Sequence, residues 1–281
     1  MHRCSSRDNP MSIGIIGMGA FGTLAARHLA GFFQIFAHDP HVSVEVERPG
    51  VRMTTLQGAA CRDIVLVATP VSSFGDVLSS VARFCRPGAL VMDVGSVKVA
   101  PADLMVTLLP EGVDIVATHP LFGPQSAHDG LKGLKIAVCP VRCRNLVRIT
   151  RFLSQRLELD VIVTTPEEHD RETAFVQGLT HLIAKVLLDM GPLPNRMTTR
   201  SYELLVEAIA MVKDDAPEVF EAIERDNPFS AGVRQTFFDT ARRVANTIEP
   251  SMTEAPDAFD MPPQENGSTR PPARDLPIRH R

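Results

Sequence analysis

The chain has 281 residues, more than one small core needs, so one large or two modest domains are expected. Its 44% hydrophobic content is ordinary for a globular protein, and a net charge of −4 supplies no broad basic field, so nucleic acid is not an expected partner. No apolar run approaches the roughly 20 residues of a membrane helix, and the opening Met1–Pro10 lacks the apolar core of a secretory signal, which together point to a cytoplasmic protein.

Taken in order, residues 1–11 read as an N-terminal extension, or a start assigned too early, because Met11 directly precedes the first strand. The run from Ser12 to Gly17 reads as a buried parallel strand, and Phe21–Phe33 follows with Leu24, Ala25, Leu29 and Phe32 at helical spacing. A second strand, Phe33–Asp39, ends at an acid before Pro40. Apolar runs recur at 63–69, 89–94, 113–118 and 134–139, separated by helical or turn-like pieces, with 158–164 as a last strand. This alternation predicts an α/β chain: a Rossmann-like doubly wound parallel sheet over 12–165, the dinucleotide-binding domain. From Pro166 the texture changes. Residues 167–190, 201–212, 216–225 and 230–248 carry three- and four-residue apolar steps, so 166–249 is expected to be an all-α domain for substrate binding and dimerisation. The proline-rich 250–281 is expected to be a disordered tail. The cysteines, Cys4, Cys61, Cys85, Cys139 and Cys143, are scattered and complete neither a disulfide framework nor a zinc site; no metal is expected.

Gly17, Gly19 and Gly22 form G-x-G-x-x-G between a strand and a helix. The first glycine permits the tight turn, the second lets backbone approach a pyrophosphate, and the third lets helix and strand pack; the exposed amides of the loop and helix start, at Ala20 and Phe21, face the anion. Asp39, closing the second strand, is placed to accept from ribose hydroxyls and to repel a 2′-phosphate, favouring NAD over NADP; its bland alternative is a turn aspartate before Pro40. Thr69-Pro70 and the Asp93-Val-Gly-Ser96-Val-Lys98 segment end the next strands at the same crevice. Ser96 reads as an active-site hydroxyl or as a helix N-cap. His119, in Thr118-His-Pro-Leu-Phe-Gly-Pro124, puts an imidazole at another strand end, and loop plus base together suggest a nicotinamide-dependent dehydrogenase.

In this order, the glycine loop, Asp93–Lys98, His119–Pro124 and Glu168-His-Asp-Arg171…Gln177-Gly-Leu-Thr-His181 resemble the prephenate/arogenate dehydrogenase family over residues 12–245. The wording is nearer the arogenate-type branch than the branch with a His-Leu-Pro-His element. The resemblance implies that His119 takes or polarises the ring hydroxyl proton of a cyclohexadienol while hydride leaves for the nicotinamide and carbon dioxide is expelled. It implies that Ser96 orients hydroxyl and histidine, and that His181 reaches the substrate from the opposite wall; otherwise His181 is a satisfied core histidine. His169 reads as mostly structural, and His28 and His128 as solvent-facing. The prephenate-binding branch has an arginine in a Thr-Arg-Ile context, where Ile209 or Ala210 stands here, so Arg200 is the substitute substrate cation, with Lys98 behind it. Prephenate is the expected substrate, with arogenate the alternative. A dehydrogenase of the β-hydroxyacid or imine-reductase type would use a lysine or aspartate on the first long helix of the second domain, and a non-catalytic NAD-binding module would need neither His119 nor His181.

Overall fold

A computed structural model describes residues 11–43 and 49–248. Eight strands form one sheet in the order β3-β2-β1-β4-β5-β6-β7-β8. They are β1 Ser12–Ile16, β2 Gln34–His38, β3 Val51–Met53, β4 Ile64–Val67, β5 Leu90–Asp93, β6 Asp114–Pro120, β7 Lys135–Arg142 and β8 Asp160–Val163. The central strands are short, β-branched-rich and buried on both faces, as parallel strands covered by helices must be. Ile13, Ile15 and Leu66 pack beneath α1 (Ala20–Leu29), whereas Val65, Val67, Val91 and Ile115 turn the other way. That second face carries α2 (Leu56–Ala60), α3 (Phe74–Ala82) and α4 (Val99–Leu108), with Phe74, Leu78 and Met105 wholly enclosed. Helix α5 (Leu146–Gln155) seals β6–β8 through Leu153 against Val116, Ile136 and Val138.

Two features depart from the sequence reading. The sheet is not wholly parallel, since β7 runs antiparallel to β6. A parallel return requires a crossover, usually helical; the 121–134 connection is turns and bends that lead the chain back along the same edge. Strand β3, only three residues long, was not anticipated, because so short a run carries no readable period.

Beyond the sheet come α6 (Pro166–Thr173), α7 (Leu179–Asp189), α8 (Arg200–Val212), α9 (Pro217–Glu221) and α10 (Ser230–Ile248). The expected long helix over 167–190 forms, but with a π turn at Ala174–Gly178 between α6 and α7. A second π turn, Ala222–Asp226, extends α9. The chain divides into one compact unit ending at Asp239, which holds the sheet and the helices through the start of α10, and another beginning at Thr240. The expected extension over 1–10 and the expected tail over 250–281 lie outside the described residues. Among the described residues no helix is long and apolar enough to cross a membrane, and the described cysteines are all free thiols.

Candidate active site

The strand register collects the predicted residues along one edge. Ile16 stands beside Val67, Val67 beside Asp93, and Asp93 beside Ala117. Gly17, Thr69 and Ser96 therefore emerge past the carboxyl ends of β1, β4 and β5, and His119 is the penultimate residue of β6 beside them, with the reversal of strand order between β1 and β4. Ligands of open α/β sheets bind at such a switch point.

The glycine turn is tight where it must be and open where a ligand would lie. Gly17 has φ +98°, and a Cβ there would stand 2.6 Å from the Ala68 carbonyl oxygen. A Cβ on Gly22 would fall 2.0 Å from the Gly17 carbonyl oxygen, so only glycine lets α1 start this close to β1. A Cβ on Gly19 would meet nothing within 4 Å: its backbone faces a cradle at the α1 N-terminus, where Ala20 and Phe21 open the first turn. Thr69 flanks this turn, and its Oγ1 is buried with no partner; Pro70 follows it, just ahead of a 3-10 turn. An open cradle, a helix N-terminus and an orphaned hydroxyl fit a dinucleotide. Asp39 accepts from the backbone N–H of Met18 at 2.7 Å and of His41 at 2.8 Å. Partial burial would raise its carboxyl, but those two bonds and the nearby His41 and His38 hold it below the usual range. It thus sits as an anion against the glycine loop.

His119 is 3% exposed, and its ring nitrogens face His169 and Gln177, not Ser96. Nδ1 lies 2.9 Å from His169 Nε2, and Nε2 lies 3.4 Å from the Gln177 amide nitrogen. Burial, then electrostatic interaction with the neighbouring His169 and Lys98, push its pKa well below the ordinary histidine value, so the ring is held neutral. His169 Nδ1 is 2.8 Å from Asp170 Oδ1. The start of α6 makes this possible: Thr165 and Glu168 form a capping box and Pro166 takes the first helical position, which fixes the helix phase with His169 and Asp170 buried. The π turn then carries Gln177 to His119, a use of such turns common at functional sites.

Other predicted residues are placed differently. Lys98 is wholly buried, and its ammonium bonds Asp93 and, at 2.6 Å, the Thr118 carbonyl, so it ties β5 to β6 beneath the edge and offers no cation to a ligand. Arg200 is exposed and pairs along its own helix with Glu203 at 3.5 Å and Glu207 at 3.1 Å. Ser96 is half-buried in the turn after β5. His181 is 8% exposed, with Nδ1 2.9 Å from the Gln177 carbonyl and Nε2 3.2 Å from Asp215 Oδ2. The neighbours that sequence reasoning undervalued are His169, Asp170 and Gln177. All three lie in the Glu168–His181 motif, which marked the segment without saying which side chains turn inward.

The sheet order, the glycine turn at the switch point and the open cradle define a nucleotide-binding protein of Rossmann type. Residues 36–156 match the family model described as "Prephenate dehydrogenase, nucleotide-binding domain". A probable arogenate/prephenate dehydrogenase of Methanocaldococcus jannaschii is 29% identical over 86% of this chain and 58% of its own length. Arogenate dehydrogenase 1, chloroplastic, of Arabidopsis thaliana is 30% identical over 77% of this chain and 36% of its own length. The fold is also that of the prephenate dehydrogenase from A. aeolicus solved with hydroxyphenyl propionate and NAD+, at a TM-score of 0.69 and 21% identity over 86% of this chain and 92% of that one. The chain belongs to the prephenate/arogenate dehydrogenase family. It spans less than two thirds of the length of the first two relatives, 58% and 36%.

Proposed function

We propose that the protein is a cytoplasmic, NAD-dependent prephenate dehydrogenase, converting prephenate to 4-hydroxyphenylpyruvate in tyrosine biosynthesis. The observation that carries this reading is a neutral, buried imidazole, His119, on the edge of the sheet that bears the glycine cradle. Gly17, Gly19, Ala20, Phe21 and Gly22 would hold the pyrophosphate, Asp39 the ribose hydroxyls, and Thr69 and Pro70 the wall of the crevice. Bound there, the nicotinamide supplies the acceptor for the hydride on the carbinol carbon. His119 Nε2 takes the hydroxyl proton as that carbon becomes a carbonyl. The ring carboxylate then leaves as carbon dioxide, its electron pair flows through the ring to the carbonyl oxygen, and the phenolate so formed takes a proton. Such a base contributes about 10²–10⁴-fold. Ser96, beside this edge, is assigned to orient the hydroxyl, and His181 to the facing wall. Lys98, expected from the sequence to contact the substrate, is assigned to hold the β5 and β6 ends in register.

A second substrate, arogenate, is favoured by one observation. The two cations predicted to meet carboxylates, Lys98 and Arg200, are both paired with acids, whereas Asp215 beside His181 is 41% exposed and suits an ammonium group. Steady-state NADH formation with prephenate and arogenate, each with NAD and NADP, separates these readings. The proposal fails if neither substrate is turned over, or if His119→Asn keeps more than about a tenth of wild-type kcat. Exposed Phe175, Met190, Leu204 and Met211 on the helical segment support a homodimer, to be checked by light scattering.

A further inference from the structure

The hydrogen bonds around His119 form one line that begins at a carboxylate. Asp170 is fully buried, and its Oδ1 and Oδ2 accept backbone N–H from Lys98 at 2.7 Å and Val99 at 2.9 Å. Its carbonyl accepts from Asn227 Nδ2 at 2.8 Å, and Thr173 Oγ1 ties back to the His169 carbonyl at 2.9 Å. The carboxylate therefore cannot swing away. It offers Oδ1 only as an acceptor to His169, so His169 must carry its hydrogen on Nδ1. That leaves a lone pair on His169 Nε2, which must receive the N–H of His119 Nδ1. The rings meet edge to face, at 68° with centroids 5.0 Å apart, an arrangement that an N–H aimed at a ring-nitrogen lone pair can adopt. His119 Nε2 then has no hydrogen, and the group facing it is a donor, the Gln177 amide, whose own Oε1 is buried without a partner.

We infer that Asp170 and His169 are positioning residues which fix His119 as its Nδ1–H tautomer, so that Nε2 is the nitrogen that accepts a proton. The pair adds a role for the Glu168–Arg171 segment that the base alone does not require. It also explains why a helix start is pinned against α4: movement of α6 by one hydrogen-bond length would release the tautomer. This inference rests on the reading of His119 as the base, and its test keeps the two apart.

The first measurement needs no substrate. Long-range ¹⁵N–¹H correlation spectra of the full chain labelled in histidine, with His119 assigned by its loss in His119→Asn, should show hydrogen on Nδ1 and a bare Nε2. A His119 protonated on Nε2 overturns the inference. The second compares His169→Leu, which cannot accept from Nδ1–H, with His169→Gln, whose carbonyl can. Leucine should lower kcat about 10–100-fold while KM changes less than about threefold, and glutamine should recover most of the loss. A leucine variant that folds, by circular dichroism, and turns over within about threefold of wild type overturns the inference, as does a glutamine variant no better than leucine. If the wild-type protein oxidises neither cyclohexadienol yet shows the Nδ1–H tautomer, the functional reading falls and the positioning role stands. If it turns over and His119→Asn is inactive but the tautomer is Nε2–H, the reverse holds.

Discussion

Replacing Lys98 with methionine separates a structural cation from a substrate-binding one. Lys98 and Asp93 are both fully buried, and methionine keeps the length of the stem while removing the ammonium. What remains is a carboxylate sealed under the β5 and β6 ends with two backbone donors, Gly95 N–H at 2.9 Å and Thr118 N–H at 3.2 Å. Breaking a buried pair by removing one partner costs about 3–5 kcal/mol; with those two donors intact we place Lys98→Met near the lower end, about 3 kcal/mol. For a domain of this size about 2–4 °C is lost per kcal/mol, so the melting temperature should fall by about 6–12 °C. Urea unfolding followed by circular dichroism should show the same loss as a lower midpoint at unchanged slope. The double variant Asp93→Asn/Lys98→Met removes the stranded charge and should recover more than half of that loss. If Lys98→Met melts within about 2 °C of wild type while KM rises about tenfold or more, the ammonium serves the substrate and the reasoning from burial is wrong.

Three other outcomes are expected. Gly19→Ala adds a methyl that touches no protein atom within 4 Å, so stability should be unchanged while NAD affinity, measured by calorimetry, falls about tenfold or more through loss of close backbone approach; equal affinity would mean that the dinucleotide lies elsewhere. Asp39→Ala should weaken NAD and reduce discrimination against NADP about tenfold, read as the ratio of kcat/KM values; an unchanged ratio would remove the carboxylate from the ribose. The third outcome concerns pH. Burial, then interaction with the neighbouring His169 and Lys98, lower the His119 pKa from 6.5, so kcat/KM should hold steady through 6.5 and decline only well below it. For stability, the unfolded chain binds a proton below 6.5 that the folded His119 refuses, so unfolding free energy is complete above 6.5 and declines as pH falls toward the lowered folded value. His119→Asn should flatten this slope, and a stability that instead rises on acidification would contradict the neutral imidazole.

The local reading and the fold agree wherever one stretch of chain carries its own instruction. Gly17 and Gly22 are dictated by a positive φ and a carbonyl 2.0 Å away, and glycine is the residue that satisfies both, so the motif could be read without coordinates. The same holds for strands buried on both faces, whose runs from Ser12 and Asp63 are apolar without alternation, and for the Thr165-Pro-Glu-Glu168 helix start. The direction of β7 was different: an antiparallel partner and a parallel one bury the same apolar residues, and only the path of residues 121–134 chooses between them.

By itself the sequence determined the buried parallel strands, the glycine turn, the change to helices after Pro166 and the imidazole at the end of β6, since each depends on period, turn chemistry or a residue type within a few positions. Only the tertiary structure decided what the charged and titratable groups do. It buried Lys98 between Asp93, five residues back at the end of β5, and the Thr118 carbonyl of neighbouring β6, turned Arg200 onto its own helix, and brought His169 to His119 across 50 positions of chain. The physical reason is that a lone histidine or lysine has no fixed function in a sequence; its protonation and reach are set by which partners and how little water the fold leaves around it.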